Sequence, residues 1–489
     1  MSPDRRSTTA DKDCPKCKSR RINCDRTAPE CKKCTSRGFK CPGYGLILKW
    51  GQGVASRGLL TGSELPVRDA TCRSSVPPEP SPVNESSQTA KLEQSLSVIP
   101  HGPNPNINPM TLQLMHHFHH VVSGKLAWVD GPTNPWRQVI IPLAWSSATV
   151  LSAVLSLSSE DLAAKFSQDH PRRHQLQRLS LRLRSEALTS LASQISQMRQ
   201  DDSLTNLNPI QTQYALASTL ILYNVELLGA QSGQWRVHLQ GARTILQWKE
   251  QSFPRTALSD EIDSFLLYEQ YFASVFAGLT SFDTPHETEK DIQLIDDTAV
   301  LSDFINIMNR LTRIERLQYN QSYDVDPALL GILTHELDEA KNRMVQLSEI
   351  FQFQTEDAKQ SFLHLVNIFH DASLIYMYRV LTNDPAVEER LQLLRDAILG
   401  HSHSLSQNGS FANDLVWPLF IAGTECRGDQ EKQEIVVREL EVVMRISWNL
   451  DRRKVLSFLR EFWALEREGQ VTWIQYMREK APGSTIMIL

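Results

Sequence analysis

The cysteine pattern near the amino terminus constrains the fold of this chain more than any other feature. Of 8 cysteines, 6 lie between residues 14 and 41. The two halves of the cluster, CPKCKSRRINC and CKKCTSRGFKC, share the spacing C-x2-C-x6-C at an offset of 17 residues. Such a repeat predicts two equivalent metal sites related by a pseudo-twofold axis. The predicted ligands are Cys14, Cys17, Cys24, Cys31, Cys34 and Cys41.

The number of ligands predicts how many metal ions are bound. A structural zinc ion takes four tetrahedral ligands, so six separate thiolates would complete one ion and leave two sulfurs unused. If one cysteine from each half bridges both ions, six sulfurs supply eight bonds. Two Zn²⁺ ions are then fully coordinated, and we expect them as the cofactors of this segment.

The cysteine segment is too poor in apolar residues to fold by hydrophobic burial. Between residues 14 and 41, Ile22 and Phe39 are the large apolar side chains. A core of that size cannot stabilise a fold, whereas zinc binding contributes roughly 10–16 kcal/mol in small finger peptides. We therefore predict that this segment is unfolded without metal.

The cysteine spacing resembles that of the fungal binuclear zinc cluster, the Zn2Cys6 family of transcription factors. The resemblance implies that the first and fourth cysteines, Cys14 and Cys31, bridge the two metals, and Pro29 stands at the loop proline of that family. Asp13 and Asn23 depart from the usual small residue and Lys, respectively. RING and LIM modules need other spacings, and a disulfide knot is not expected in a reducing compartment.

The segment KSRRIN, between Cys17 and Cys24, predicts a helix of about two turns because it lacks Pro and Gly. It carries two adjacent arginines, Arg20 and Arg21, and Arg donates bidentately to guanine in the major groove. The resemblance implies that these two contact the bases of a CGG-type half-site. Phosphate contact is predicted for nearby basic residues, with a solvated basic surface as the alternative: Lys18, Arg26, Lys32, Lys33, Arg37 and Lys40.

Charge is divided unevenly along the chain, although the net charge is only −5. Residues 1–50 contain 13 Lys and Arg against 5 Asp and Glu, whereas the remainder contains 38 against 51. The basic part is suited to phosphate and the acidic part is repelled by it. No secretory signal or membrane-spanning run is visible, so we expect an intracellular protein located in the nucleus.

Three segments follow from composition and periodicity: a DNA-binding module over 10–45, a flexible linker over 46–109 and a large domain over 110–489. The linker is rich in Pro, Ser and Asn and is predicted to be disordered; it contains an isolated cysteine, Cys72. It lacks a sustained heptad repeat. The chain therefore either binds DNA as a monomer or forms a homodimer through its carboxyl-terminal domain.

Apolar residues in the carboxyl-terminal domain recur at helical spacing, which predicts an all-α fold of packed helix pairs. The same spacing recurs near 210–228, 260–279, 357–382 and 431–449. One predicted helix face contains Leu176, Leu179, Leu183, Ala187, Leu191 and Ile195.

The domain also resembles the second type of fungal-specific transcription factor domain. The matching phrases are His116–Arg137 with Pro142–Trp145, then Trp235–Arg243 and Trp417–Gly423. This resemblance implies a regulatory domain for RNA polymerase II genes and names no catalytic residue.

Several residues of this domain suggest sites but have simpler interpretations. Four histidines, at positions 116, 117, 119 and 120, are interpreted as solvated or packed helix residues and not as a metal site. His401 and His403 are predicted to lie in a polar loop. Trp235 is interpreted as core and Gly241 as a site of close helix packing.

The sequence features bear on three classes of function. A zinc-dependent DNA-binding regulator, with double-stranded DNA and the transcription machinery as partners, is favoured by the cysteine cluster. An enzyme is disfavoured because no P-loop, G-x-S-x-G or H-E-x-x-H motif occurs. A protein-interaction scaffold or corepressor, which uses the cluster for contact without reading bases, stays open as the alternative.

Overall fold

The computed structural model of the protein describes the chain in segments. These are residues 13–20, 22–27, 30–39, 41, 108–200, 208–228, 234–252, 261–282, 299–321, 326–408, 411–447, 449, 452–465, 471–480 and 486–488. The chain divides into two compact units, Met1–Asn84 and Glu85–Leu489. We call the first unit the head and the second unit the body. Most of the predicted linker, including Cys72, lies outside the described residues.

The head is built around its cysteines. Its two short helices are α1 (Pro15–Ser19) and α2 (Lys32–Thr35). Its buried cluster consists of Cys14, Cys17, Cys31, Cys34 and Cys41, with Ile22 and Cys24 partly buried against it. Phe39 remains 41% exposed, so it adds little to a core. A stable fold of the head thus depends on its cluster of cysteines and not on the burial of large apolar side chains.

The body is helical throughout its described residues, and no strand occurs in those segments. The predicted fold class is therefore confirmed. A π-helical segment, Phe118–Val122, separates α3 from α4, and short 3₁₀ segments are Pro385–Val387 and Ala412–Leu415. The helices are α3 (Pro109–His117), α4 (Ser123–Leu126), α5 (Pro135–Gln138), α6 (Ile140–Ser146), α7 (Ala148–Ala164), α8 (Pro171–Gln200), α9 (Pro209–Leu228), α10 (Trp235–Ser252), α11 (Glu261–Leu279), α12 (Ser302–Gln321), α13 (Ala328–Leu347), α14 (Glu356–Leu381), α15 (Glu388–Asn408), α16 (Val416–Thr424), α17 (Gln430–Ser447), α18 (Arg453–Trp463) and α19 (Trp473–Lys480).

Local sequence explains where several of these helices begin. The side chains of Asn108 and Asn134 accept hydrogen bonds from the first turns of α3 and α5, each of which has a proline at its first position. Ser147 and Thr355 cap α7 and α14 in the same way. Such caps satisfy backbone N–H groups that have no partner within the helix.

Helical periodicity correctly predicts which faces are buried. On α8, the predicted apolar face is buried from Leu176 to Leu191, and Ile195 is half-buried at its end. α8 packs against α7, α10 against α9, and α15 against α14. These contacts confirm the predicted arrangement of packed helix pairs.

Two apolar clusters form the core of the body. One cluster includes residues of α3, α6, α7, α8 and α9, and the other includes residues of α12 and α14 to α19. Helices α9, α10 and α11 contribute to both clusters; for example, Leu220 belongs to the first and Tyr223 to the second. The junction of the clusters therefore lies along these three helices.

The prediction of a loop around His401 and His403 is wrong, because both residues lie in α15. The polar composition of this segment is compatible with a helix, since the neighbouring Ser402 and Leu405 are fully buried against other helices. Each histidine meets a side chain of another helix: His401 contacts His364 of α14 at 2.9 Å, and His403 contacts Glu439 of α17 at 3.0 Å. Tertiary contacts thus extend the helix beyond what composition indicates.

A search of the described helices for length and apolarity finds none that could cross a membrane.

Candidate metal centre and nucleic-acid interface

The cysteine sulfurs of the head form two groups of four. Cys14, Cys17, Cys24 and Cys31 make one group, and Cys14, Cys31, Cys34 and Cys41 make the other. Within each group, all sulfur atoms lie within 4.8 Å of one another. The two groups share Cys14 and Cys31, the pair that the family resemblance implies as bridging ligands. This geometry suits six sulfurs that supply eight metal bonds.

Distances between the sulfurs fit a tetrahedral zinc site. The Sγ atoms of Cys14 and Cys31 are 3.6 Å apart, and those of Cys17 and Cys31 are also 3.6 Å apart. Four thiolates at about 2.3 Å from zinc have tetrahedral edges of about 3.8 Å. A disulfide would need about 2.05 Å, and all six cysteines are free. The sulfurs therefore have the separation of metal ligands.

The two shared cysteines occupy equivalent places in the two half-repeats. Cys14 is the N-cap of α1 and Cys31 is the N-cap of α2, each in an extended conformation. The Cys14 sulfur accepts a hydrogen bond from the Cys17 N–H at 3.4 Å, and the Cys41 sulfur accepts one from the Cys31 N–H at 3.4 Å. Backbone donors aimed at sulfur stabilise the thiolate form that a metal needs.

Burial explains why these thiols need a cation. Desolvation raises the pKa of Cys14 to about 12, and it also raises the pKa values of Cys17 and Cys31 above the ordinary range. Without a positive charge the cluster would therefore hold protonated thiols at neutral pH. The cysteines would hold zinc as thiolates, and the charge of the metal would stabilise that deprotonated form. A closed, all-sulfur set of buried ligands is the chemistry of a structural zinc site.

The predicted helix over KSRRIN is wrong in its position. Helix α1 instead starts at Pro15, directly after Cys14, and ends at Ser19, with Arg20 as its C-cap. Proline fits the first turn of a helix. The chain then leaves the helix before the third cysteine, Cys24, which joins the first sulfur group. Arg20 therefore lies at the end of α1, and Arg21 lies outside the described residues.

Arg20 is held by an aromatic ring of the other half-repeat. Its guanidinium carbon lies 4.4 Å from the ring centroid of Phe39, and the ammonium of Lys16 lies 5.5 Å from the same centroid. The Arg20 Nη1 atom is buried with no hydrogen-bond partner among the described residues. A cation over an aromatic face is attracted by the ring electrons. Phe39, which sequence reasoning treated only as an apolar residue, thus positions a predicted base-reading arginine.

The predicted phosphate contacts are exposed where the structure describes them. Lys18 lies on α1, and Lys32 and Lys33 lie on α2, all with exposed side chains. Arg26 is also exposed and adopts a left-handed backbone conformation with φ of 55°. Its Nε donates to the Asp13 carboxylate at 2.7 Å. A phosphate would therefore have to share Arg26 with Asp13, which is one of the departures from the family pattern.

Asp25 is a structural residue of the head that the sequence does not single out. Its carboxylate accepts hydrogen bonds from the N–H groups of Lys32 at 3.0 Å and Lys33 at 3.4 Å, and from the Thr27 hydroxyl at 2.9 Å. Although desolvation opposes ionisation, these donors lower the pKa of Asp25. Asp25 thus joins the first half-repeat to the start of α2. No spacing rule could have identified it.

In the body, the phrase His116–Arg137 folds into a tightly connected segment. Arg137 forms an ion pair with Asp130 at 2.6 Å, and Asn134 donates to Asp130 at 3.0 Å. His117 is buried and hydrogen-bonds to Asp161 of α7 at 2.8 Å. Trp235 is 1% exposed and therefore lies in the core, and a Cβ on Gly241 would be in ordinary contact with Thr219. These positions are structural in character.

Comparison with known proteins gives two family matches. The fungal Zn(2)-Cys(6) binuclear cluster domain matches residues 12–50, and the fungal specific transcription factor domain matches residues 113–487. Over 614 aligned positions the chain is 21% identical to the acriflavine sensitivity control protein acr-2 of Neurospora crassa, covering 100% of this chain and 98% of that protein. No solved structure significantly matches the chain.

Both matches agree with the geometry of the head and the helical character of the body, and the resemblances seen in the sequence are confirmed. The second match alone spans more than half of the chain. The protein belongs to the fungal transcription factors that combine a zinc-binding, DNA-binding Zn(2)-Cys(6) cluster domain with a fungal specific transcription factor domain.

Proposed function

We propose that this protein is a nuclear, sequence-specific regulator of RNA polymerase II genes that reads CGG-type half-sites through its head. Two Zn²⁺ ions, held by the six cysteines with Cys14 and Cys31 bridging, would fix the fold of the head. The observation that carries the proposal is the pair of four-sulfur groups that share these two cysteines.

Base reading is assigned to Arg20 and Arg21, and backbone contact to Lys18, Arg26, Lys32 and Lys33. Arg20 supports this assignment because it stands at the end of α1 and is oriented by Phe39. A good bidentate contact of Arg with guanine discriminates against a wrong base by about 1–3 kcal/mol. The exposed lysines would instead position the head on the duplex without reading its sequence.

The second half-repeat of the head provides a matched control residue for the test of base reading. Arg37 stands 17 residues after Arg20, at the equivalent position of the second half, and it is exposed. The test compares Arg20→Ala with Arg21→Ala, as a double variant, against Arg37→Ala in the full-length protein. Binding is measured on a CGG duplex and on a scrambled duplex of equal length.

We expect the double variant to lose about tenfold or more in its preference for CGG over the scrambled duplex. Arg37→Ala should weaken binding to both duplexes by a similar factor, because phosphate contacts are independent of sequence. Equal loss on both duplexes for the double variant would refute base reading by this pair.

Salt dependence separates this function from that of a scaffold. Neutralisation of phosphates by Lys and Arg releases counterions, so the affinity for DNA should fall steeply between 50 and 200 mM salt, by a factor on the order of 10³ for about six contacts. A protein that uses the zinc cluster only for protein contact would show no such dependence on DNA. Measurement of affinity across a salt series decides between the two.

A further inference from the structure

A cavity of about 120 Å³ lies inside the body, at the junction of its two apolar clusters. Its walls come from α4, α5, α7, α9 and α11, from the 3₁₀ segment Ala412–Leu415 and from residues that lead into α18. An engineered apolar cavity of about 150 Å³ accommodates benzene. The cavity is therefore of the size of a single-ring organic molecule.

Aromatic side chains make up much of the wall. Trp128 precedes α5, Trp136 belongs to α5, Tyr223 to α9 and Phe272 to α11, and all four line the cavity. Trp128 and Phe272 meet edge to face, with ring centroids 4.8 Å apart. Such a wall suits an apolar or aromatic molecular body, and the faces of Trp and Tyr also attract cations.

Besides the phenol of Tyr223, the cavity is lined by five acidic and basic side chains. Three are carboxylic acids, Asp161, Glu269 and Asp414, and two are bases, Lys125 and Arg452. With all five groups charged, the lining carries one more negative than positive charge. Uncompensated charge inside a protein is costly, so each acid of this lining needs either a cation or a proton.

Two of the three acids interact with a base of the protein. Asp161 is ion-paired with Lys125 and accepts from His117. Burial raises the pKa of Asp414 to about 8, although the charge of Arg452 opposes this shift. Arg452 also donates to the Asn413 carbonyl at 2.8 Å.

Glu269 is the acid without a cationic partner among the described residues. It comes from the middle of α11, and part of its surface is accessible from the cavity. Burial raises the pKa of Glu269 to about 8, and the opposing influence comes from Trp136, which is neutral. Asn413 adds an acceptor to the cavity lining, because its buried Oδ1 atom has no hydrogen-bond partner in the described part of the chain.

We propose that this cavity is a binding site for a small organic cation, a protonated primary amine with a single-ring body, and that Glu269 is its anchoring carboxylate. An ammonium group has three N–H donors and no acceptor, which suits Glu269 together with the Asn413 amide oxygen. The ring would occupy the space between Trp128, Trp136 and Phe272. The amine would supply the positive charge that no described side chain supplies to Glu269.

The site goes beyond the DNA-reading function, because every residue in it belongs to the body. Binding can therefore be measured whether or not the head reads CGG. Failure of the amine to bind would leave the DNA-binding proposal intact, and loss of base reading would leave the cavity proposal intact.

Three ligands of nearly equal shape test the charge requirement on the full-length protein. Benzylamine is a cation at neutral pH, benzyl alcohol is neutral and benzoate is an anion. Isothermal titration calorimetry should give benzylamine a dissociation constant of about 1 mM or tighter. Benzyl alcohol and benzoate should bind at least about tenfold more weakly, because neither neutralises the carboxylate.

Variants then test the anchor. Glu269→Gln keeps the shape of the side chain and should weaken benzylamine binding about tenfold or more. Glu160→Gln is the matched control: burial also raises the pKa of Glu160, but its hydrogen bonds go to Ser180 and Gln177 of α8 and it does not line the cavity. Glu160→Gln should bind benzylamine as the wild type does. Far-UV circular dichroism verifies that both variants are folded.

A pH series gives a second reading that does not depend on any variant. A bound cation favours the ionised form of Glu269, so benzylamine binding should release a proton and tighten from about pH 6 to about pH 8. The other titratable groups that line the cavity with Glu269 are Lys125, Asp161, Tyr223, Asp414 and Arg452.

Three results would overturn the proposal. These are equal affinity for benzyl alcohol and benzylamine, unchanged affinity in Glu269→Gln, and no measurable benzylamine binding by the folded wild type.

Discussion

At the scale of single residues, the six cysteines are not equivalent. Cys14 and Cys31 belong to both four-sulfur groups, whereas Cys17, Cys24, Cys34 and Cys41 each belong to one. Removal of a shared ligand damages two sites, and removal of an unshared ligand damages one. Zinc content therefore distinguishes the bridged arrangement from two independent sites.

We predict that Cys31→Ser loses both zinc ions, whereas Cys41→Ser retains about one of the two. Zinc per chain is measured by native mass spectrometry on the purified full-length variants, with the wild type expected to hold two. Equal zinc content in the two variants would contradict the bridging role of Cys31.

A buried ion cluster ties α4 to α7 in the body. Asp161 meets both Lys125 and His117. Burial alone would raise the pKa of Asp161, but the His117 hydrogen bond and the Lys125 charge outweigh it and hold the pKa below the usual value. The carboxylate is therefore ionised in the folded state throughout the neutral range.

We predict that Asp161→Asn lowers the free energy of unfolding at neutral pH by about 3–5 kcal/mol, because it leaves the Lys125 ammonium without its ion-pair partner and His117 without its carboxylate acceptor. Since the folded pKa of Asp161 lies below the unfolded value of about 3.9, its contribution is present above about pH 4 and is lost on further acidification. Urea unfolding at a series of pH values measures both effects. The control is Glu441→Gln, an exposed residue of α17 that should change nothing. An unchanged stability of Asp161→Asn at neutral pH would contradict the role of this cluster.

Residue-level prediction from the sequence is informative where spacing carries the information. The cysteine groups follow from C-x2-C-x6-C and its repeat. The contacts of Arg20 with Phe39 and of Asp25 with α2 depend on how the two half-repeats meet, which spacing does not encode. Asp13 likewise gained its role only through its ion pair with Arg26.

At the scale of structural elements, two glycines differ in whether their surroundings leave room for a side chain. A Cβ on Gly131 would overlap the backbone carbonyl oxygen of Gln352, whereas a Cβ on Gly400, inside α15, would have nothing within 4 Å. The first glycine permits a close approach of two segments. The second merely lowers the helix propensity of α15.

We predict that Gly131→Ala lowers the free energy of unfolding by about 1–3 kcal/mol, because one chain segment must move. Gly400→Ala should raise it by up to about 1 kcal/mol, since alanine favours the helix. Thermal unfolding followed by circular dichroism compares the two variants with the wild type. A neutral Gly131→Ala would show that the close approach is not required.

Sequence patterns predicted most helices of the chain but misplaced the ends of some of them. Apolar periodicity gave the buried face of α8 because that face repeats over five turns. The region around His401 was predicted as a loop because its own composition is polar, yet contacts with α14 and α17 keep it helical. The helix before Cys24 was misplaced because capping by Cys14 and Pro15 sets its start.

At the scale of the whole molecule, the two units depend on different forces. The head has a core of cysteines and the body has extensive apolar clusters. Loss of zinc should therefore remove the fold of the head and spare that of the body.

We predict that chelation of zinc from the full-length protein leaves its far-UV helical signal almost unchanged, because α1 and α2 are short compared with the helices of the body. The thermal unfolding transition of the body should keep its midpoint. Collapse of most of the helical signal after chelation would contradict this division of forces.

The cavity of the body could not be predicted from the sequence. Its ionisable residues range from Lys125 to Arg452 and come from five separate segments. None of them forms a local motif, and the phrase Trp235–Arg243, which carries part of the family resemblance, lies outside its lining. Only packing of α9 and α11 between the two clusters brings these residues together.

The most direct test of the central claim is selection of bound sequences from random duplexes by the full-length protein, with and without prior removal of zinc. The account predicts that the zinc-loaded protein enriches CGG triplets and that the zinc-depleted protein enriches nothing. An enriched sequence without CGG, or the same enrichment after zinc removal, would contradict a head that reads DNA through a metal-organised fold.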